Sequence, residues 1–101
     1  MMNLKDKKIL ITGATGGIGN CLIKKFNELG AKIVASGTNA EKLEILKRNF
    51  PNIFVEKFQL DHHDKIENFV ETVHKKLEGI DILVNNAGIT RDNLSIRLTE
   101  E

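Results

Sequence analysis

Ile9-Leu10-Ile11-Thr12-Gly13-Ala14-Thr15-Gly16-Gly17-Ile18-Gly19 joins an apolar, β-branched run to a turn that holds four glycines. Behind the turn, Ile18, Cys21, Leu22, Phe26 and Leu29 recur at helical spacing and close on Gly30. Strand, glycine turn and helix in that order are the setting in which a Gly-rich motif carries chemistry. Such a turn leaves backbone N–H groups without partners. The helix start adds roughly half a positive charge, so a phosphate fits there. Gly13, Gly17 and Gly19 are spaced G-x-x-x-G-x-G, wider in the first gap than the common dinucleotide fingerprint.

Working outward, Lys8 to Thr12 reads as the first strand and Gly17 to Leu29 as its helix, with Gly30 at the C′ position. Lys32 to Ser36 completes a βαβ unit, whose crossover makes the strands parallel and the connection right-handed. Thr38-Asn39-Ala40-Glu41 carries a Thr-x-x-Glu capping box, and Leu43, Leu46 and Phe50 form the next apolar stripe before Pro51 stops it. Ile53 to Leu60 is a third strand. Asp61 or a neighbour then caps a helix whose Ile66, Phe69, Val70, Val73 and Leu77 face the sheet, and Gly79 ends it. Ile80 to Val84 reads as a fourth strand, buried on both faces.

The pattern is βαβαβαβ, the N-terminal half of a Rossmann-type doubly wound α/β sheet with strand order 3-2-1-4. Ligands bind such sheets beyond the carboxyl ends of the strands, where the connections change sides. Two marked stretches fall there: the glycine turn after strand 1 and Asn85-Asn86-Ala87-Gly88 after strand 4.

The bulk properties narrow the class. With 101 residues the chain is one domain at most, and its 29% charged residues balance to +1. No basic footprint for nucleic acid or an acidic membrane is present. The apolar runs fall far short of a membrane span. The lysines near the N-terminus are not followed by a signal-peptide core. One cysteine, Cys21, makes no internal disulfide and reads as a packing residue on the helix face. These features point to a cytoplasmic protein. His62, His63 and His74 lack the partners and spacing of a zinc site, so no metal is expected.

Thr12-Gly13-x-x-x-Gly17-x-Gly19 taken with Asn85-Asn86-Ala87-Gly88, in register on this pattern, resembles the short-chain dehydrogenase/reductase family. The continuation Ile89-Thr90-Arg91-Asp92-Asn93-Leu94 is similar to the branch that contains bacterial 3-oxoacyl-acyl carrier protein reductases and acetoacetyl-CoA reductases. The resemblance implies an oxidoreductase of fatty-acid synthesis whose full-length form is a homotetramer acting on β-keto acyl groups carried by acyl carrier protein. It places Gly13, Ala14, Thr15 and Gly16 around the cofactor's phosphates and adenosine ribose, within a turn completed by Gly17 and Gly19, with Ile18 behind the pyrophosphate. Thr38 falls where the family contacts the adenosine ribose or its phosphate. Gln59 and Leu60 fall beside the adenine. Gln59 departs from the usual Asp or Asn, a role open to Asp61 instead. Asn86, Ala87 and Gly88 line the ribose–nicotinamide stretch.

A carboxylate at the end of strand 2 would accept from a free 2′-hydroxyl and repel a 2′-phosphate. Ser36-Gly37-Thr38-Asn39 offers none, which favours NADPH over NADH. Gly16 stands where many NADPH-using relatives carry a basic residue, and Lys42 is the nearest cation to strand 2's end. Arg91 and Arg97 could meet an acidic carrier protein, or be plain surface.

The family's reaction uses a serine, a tyrosine and a lysine four residues after it, all of which the resemblance places beyond Glu101. This sequence contains no tyrosine at all. The expectation is a catalytically incomplete partial dinucleotide-binding domain over 1–101, from a truncated product, with a non-catalytic binding module or a gene remnant as the rivals. Leu98-Thr99-Glu100-Glu101 reads as the opening turn of a further helix. With no strand expected beyond Val84, strand 4 should stand open along its outer edge and make the chain prone to association.

Overall fold

The computed structural model describes residues 3–58, 66–86 and 95–98. In chain order the elements are β1 (Lys8–Thr12), α1 (Gly17–Glu28), β2 (Lys32–Gly37), α2 (Ala40–Asn49), β3 (Phe54–Lys57), α3 (Ile66–Leu77), β4 (Ile82–Asn85) and β5 (Ser95–Leu98). They build one sheet in the order β3-β2-β1-β4-β5. The first four strands are parallel and lie in the anticipated 3-2-1-4 order.

The fifth strand corrects the expectation of an open edge. Ser95–Leu98 pairs antiparallel with β4, matching Ile82 to Leu98 and Asn85 to Ser95, so the outer edge of β4 is covered. Leu98, read as the start of a helical turn, belongs to this strand, and Thr99 to Glu101 lie outside the described residues. The physical reason for the strand is local: β4 offers a row of backbone donors and acceptors.

β1 occupies the middle of the parallel strands and is dry on both faces: Ile9 and Ile11 are fully buried on one side and Leu10 on the other. Its register with β4 is pinned at the start of both strands. Lys8 N donates to Asp81 Oδ2 at 2.9 Å, Asp81 N returns a bond to Lys8 O at 2.7 Å, and Lys8 Nζ reaches Glu78 O.

Helix α1 is rotated from the expected face. A Cβ on Gly19 would stand 2.7 Å from the backbone of Ala14, so the helix packs on the turn through this glycine. At about 100° per residue, Ile23 lies about 40° from Gly19 and is fully buried, while Cys21 lies about 200° away and is exposed. Cys21 is therefore a surface residue. The α2 cap is also displaced: Asn39, not Thr38, is the N-cap, and its Oδ1 accepts from Lys42 N at 3.0 Å. Asparagine in the residue before the helix outcompetes the Thr-x-x-Glu reading one position earlier. Leu43 and Leu46 are buried as anticipated.

On the other face, Phe69, Val73 and Leu77 of α3 cover Leu10 and Val34, and Phe58 stacks on Phe69 with ring centroids 4.2 Å apart. Val70 is not among the sheet-facing residues. It lies on the flank of that stripe and is 42% exposed. β4 is drier on paper than in the structure, since Ile82 and Leu83 are each only half-buried. Asp61, proposed as the α3 cap, lies outside the described residues. At the far edge, Phe54 of β3 is partly exposed, with Lys47 of α2 and Lys76 of α3 both standing over its ring. Lys47 Nζ also donates to the carbonyls of Pro51 and Ile53. Two cations on an edge strand discourage pairing with another chain.

Candidate cofactor site

β1 and β4 are neighbours, yet α1 and α3 leave the sheet on opposite faces, so the switch in direction falls at their carboxyl ends. Gly13 takes φ 61 at the end of β1, a left-handed conformation that turns the chain sharply out of the sheet. Ala14 N then donates to Ser36 O at 2.9 Å, tying the turn to β2. A Cβ at Gly37 would stand 3.1 Å from Thr15 Cγ2, so Thr15 lies directly against the end of that strand.

The helix ladder of α1 opens with Asn20 N donating to Gly16 O. The N–H groups of Gly17, Ile18 and Gly19 lie ahead of that rung. Gly16 supplies no side-chain cap, and the first turn carries no acid. A Cβ at Gly17 would project into open space, and one at Gly16 would meet only Gly13 O, at 4.0 Å. The end of α1 is thus a bare cluster of donors carrying the positive end of the helix dipole, with room for an anion to approach the backbone. Ile18, beside it, is 47% exposed.

Across the switch point, Thr12 Oγ1 donates to Asn85 Oδ1 at 2.9 Å, and Asn86 Nδ2 donates to Gly13 O at 3.2 Å. Asn86 thereby joins the loop after β4 to the carbonyl of the turn's first glycine. Sequence reasoning placed Thr12 at the head of the motif but gave no role to its hydroxyl, which makes the other of these ties; a polar residue closing an otherwise apolar strand was the available signal. At the end of β2, Ser36 is buried, while Thr38 and Asn39 are exposed. Asn39 Oδ1 is engaged in the cap, which leaves the Thr38 hydroxyl and the Asn39 amide nitrogen as the side-chain donors on offer. Asp and Glu are missing from this strand end, as read from the sequence. Gly13 to Gly19, Thr38 and Asn86 therefore gather at one end of the sheet. Gln59, Leu60, Ala87 and Gly88 lie outside the described residues, as do His62, His63 and Arg91.

A family profile for short chain dehydrogenases matches residues 7–101. The chain belongs to that family. Among curated relatives, 3-oxoacyl-acyl-carrier-protein reductase of Rickettsia typhi is 37% identical over 102 residues, covering 100% of this chain and 41% of the relative. Nodulation protein G of a Rhizobium species is 38% identical over 101 residues, covering 99% of this chain and 41% of its own length. Among solved structures, 3-ketoacyl-(acyl-carrier-protein) reductase from Brucella melitensis complexed with NADH superposes with a TM-score of 0.79 at 32% identity, over 85% of this chain and 36% of that one. A short chain dehydrogenase from Bacillus anthracis gives a TM-score of 0.76 at 35% identity, over 83% and 35% of the two chains. The chain spans about 41% of the length of these curated short chain dehydrogenase relatives.

Proposed function

We propose that this chain forms the cofactor-binding part of an NADPH-dependent 3-oxoacyl-acyl carrier protein reductase, a cytoplasmic enzyme of fatty-acid synthesis. The observation that carries the reading is the bare, uncapped start of α1, held by Gly13 and Ala14 at the switch point directly beneath Asn86. The first-turn N–H groups of Gly17, Ile18 and Gly19 would receive the pyrophosphate, with Gly16 and Gly17 leaving room for it. Ala14 and Thr15 would border the adenosine ribose, and Thr38 would donate to its 2′-phosphate. Gln59 and Leu60 would flank the adenine. Asn86, Ala87 and Gly88 would orient the nicotinamide ribose. When bound, NADPH supplies the hydride for reduction of a ketone. The substrate in the whole enzyme would be a β-keto acyl group on acyl carrier protein, and the assembly a homotetramer.

Titrating NADPH and NADH into the chain and following the amide signals of Gly13 to Gly19 tests this reading. NADPH should bind more tightly. Thr38→Asp should weaken NADPH about tenfold and favour NADH, because the new carboxylate repels the 2′-phosphate and accepts from a free 2′-hydroxyl. Equal or tighter binding of NADH by the unmodified chain would overturn the NADPH assignment.

The absence of tyrosine from the sequence favours a second statement about these 101 residues taken alone. They would act as a non-catalytic dinucleotide-binding unit, because the family's proton donor is a tyrosine. No oxidation of NADPH above background should follow the addition of an acetoacetyl thioester. Measurable turnover would refute it.

A further inference from the structure

At the end of the sheet opposite the glycine turn, a cavity of about 300 Å³ opens between the first residues of β2 and β3 and the last turn of α3. Lys32 precedes Val34 by two residues, so both side chains point to the α3 face. Phe54 is matched to Val34 across the parallel ladder and points the same way. Lys76 of α3 brings its Nζ to 5.6 Å from the centre of the Phe54 ring, and Leu77 beside it is buried. The ring itself is 39% exposed, so it has surface left to cover. Two lysines, an aromatic ring and an apolar floor thus line one opening.

The charges around it are unequally committed. Lys76 Nζ stands 3.5 Å from Glu56 Oε2, a loose pair with both side chains partly in solvent. Lys47, on the same ring, is occupied by the carbonyls of Pro51 and Ile53. Lys32 is exposed, and its side chain has no hydrogen bond or ion pair among the described residues. Glu78 is the only acid in the lining, against Lys32 and Lys76. Asn52 Nδ2 donates to Asn27 Oδ1 of α1 at 2.8 Å, which fixes that part of the wall.

From this arrangement we infer that the cavity is a second binding site, for a small aromatic carboxylate whose ring lies on Phe54 and Leu77 and whose anionic group is held by Lys32 and Lys76. Its volume sits at the lower end of the range for ligand pockets, about 300–1,000 Å³, which limits the occupant to one or two rings. A ring without charge forgoes both lysines, and an anion without a ring leaves Phe54 in water. The incoming carboxylate replaces Glu56 as the partner of Lys76, and an exposed pair of that kind is cheap to exchange. The cavity and the glycine turn lie at opposite ends of the same strands, so occupancy of one leaves the other open.

Titration of naphthoate into the 101-residue chain, followed by its amide signals, tests the site. Shifts should centre on residues 32–33, 54 and 76–78 and saturate with a dissociation constant below about 1 mM. Acetate, with the charge alone, and naphthalene methanol, with the ring alone, should each bind at least about tenfold more weakly. Gly17 to Gly19, the other end of the sheet that attracts anions, should stay unmoved by naphthoate. Phe54→Ala should weaken binding about tenfold, and Lys32→Gln or Lys76→Gln about threefold each. Glu78→Gln should tighten it about threefold by removing the opposing charge. Shifts confined to Gly17 to Gly19, or naphthoate binding no tighter than acetate, overturn the proposal. If Phe54→Ala unfolds the chain, the charge variants decide, and equal affinities of Lys76→Gln and Glu78→Gln overturn it.

Discussion

The two faces of the sheet are built to different standards. On the face covered by α1 and α2, one cluster holds twelve buried residues that run from Leu4 to Val84. On the opposite face, α3 alone shelters a cluster of five, with Leu83, Phe58 and Ile80 only partly covered among the described residues. The first face draws on both βα crossovers that flank the glycine turn, so the cofactor end of the sheet rests on the better-packed layer. The comparison teaches that the glycine turn and the α3 layer rest on packing of different density, so truncations in the two layers should differ in cost.

Matched truncations should break or sharpen that comparison. Leu46 of α2 and Leu77 of α3 are both buried, at 1% and 2% exposure, so exposure alone predicts equal costs. We expect Leu46→Ala to cost about 4 kcal/mol, because its densely packed surroundings cannot collapse into the cavity. Leu77→Ala should cost about 2 kcal/mol, since the thinner layer relaxes more easily. Urea unfolding measures both, and equal losses would erase the distinction between the faces. A smaller effect should follow Asn39→Ala, about 1 kcal/mol, by removing the cap on Lys42 N. Thr38→Ala should cost less than that, which separates the observed cap from the Thr-x-x-Glu alternative. Smallest of all, Val70→Lys should change stability by no more than about 0.5 kcal/mol, as its side chain is largely in solvent. A cost above about 2 kcal/mol would show that the α3 face is more closed than its exposure indicates.

The parts legible in the sequence were those fixed by strong local chemistry. β1 has the limits read from its apolar run, and α1 ends where Gly30 takes φ 85. Strand order followed from the alternation of elements, and the glycine turn and Asn86 followed from their position after parallel strands. What escaped depends on rotation and on choices between near-equal partners. Periodicity counted Cys21 and Val70 as inward because it cannot see that Gly19 sets the rotation of α1, or that α3 covers a narrower stripe than its apolar residues define. Two good caps, Thr38 and Asn39, stand side by side, and only the geometry of Lys42 N separates them. Leu4 joins the core from a stretch with no periodic signal, anchored by Asp6 N donating to Gly30 O. β5 was unreadable because a four-residue strand takes its identity from the edge it meets.

The ties between β1 and β4 also set a timetable for synthesis. Lys8 with Asp81, Thr12 with Asn85 and Gly13 with Asn86 each join residues 73 positions apart. β2 leaves the ribosome soon after β1 and can pair with it early, but the other side of β1 must wait for β4. At about 5–20 residues per second, that wait is roughly 4–15 s. Throughout it Ile9 and Ile11 form one wall of a sheet with an unpaired inner edge, the kind of surface that invites wrong partners. The central strand of the fold, buried most deeply at the end, is the one exposed for longest on the way there.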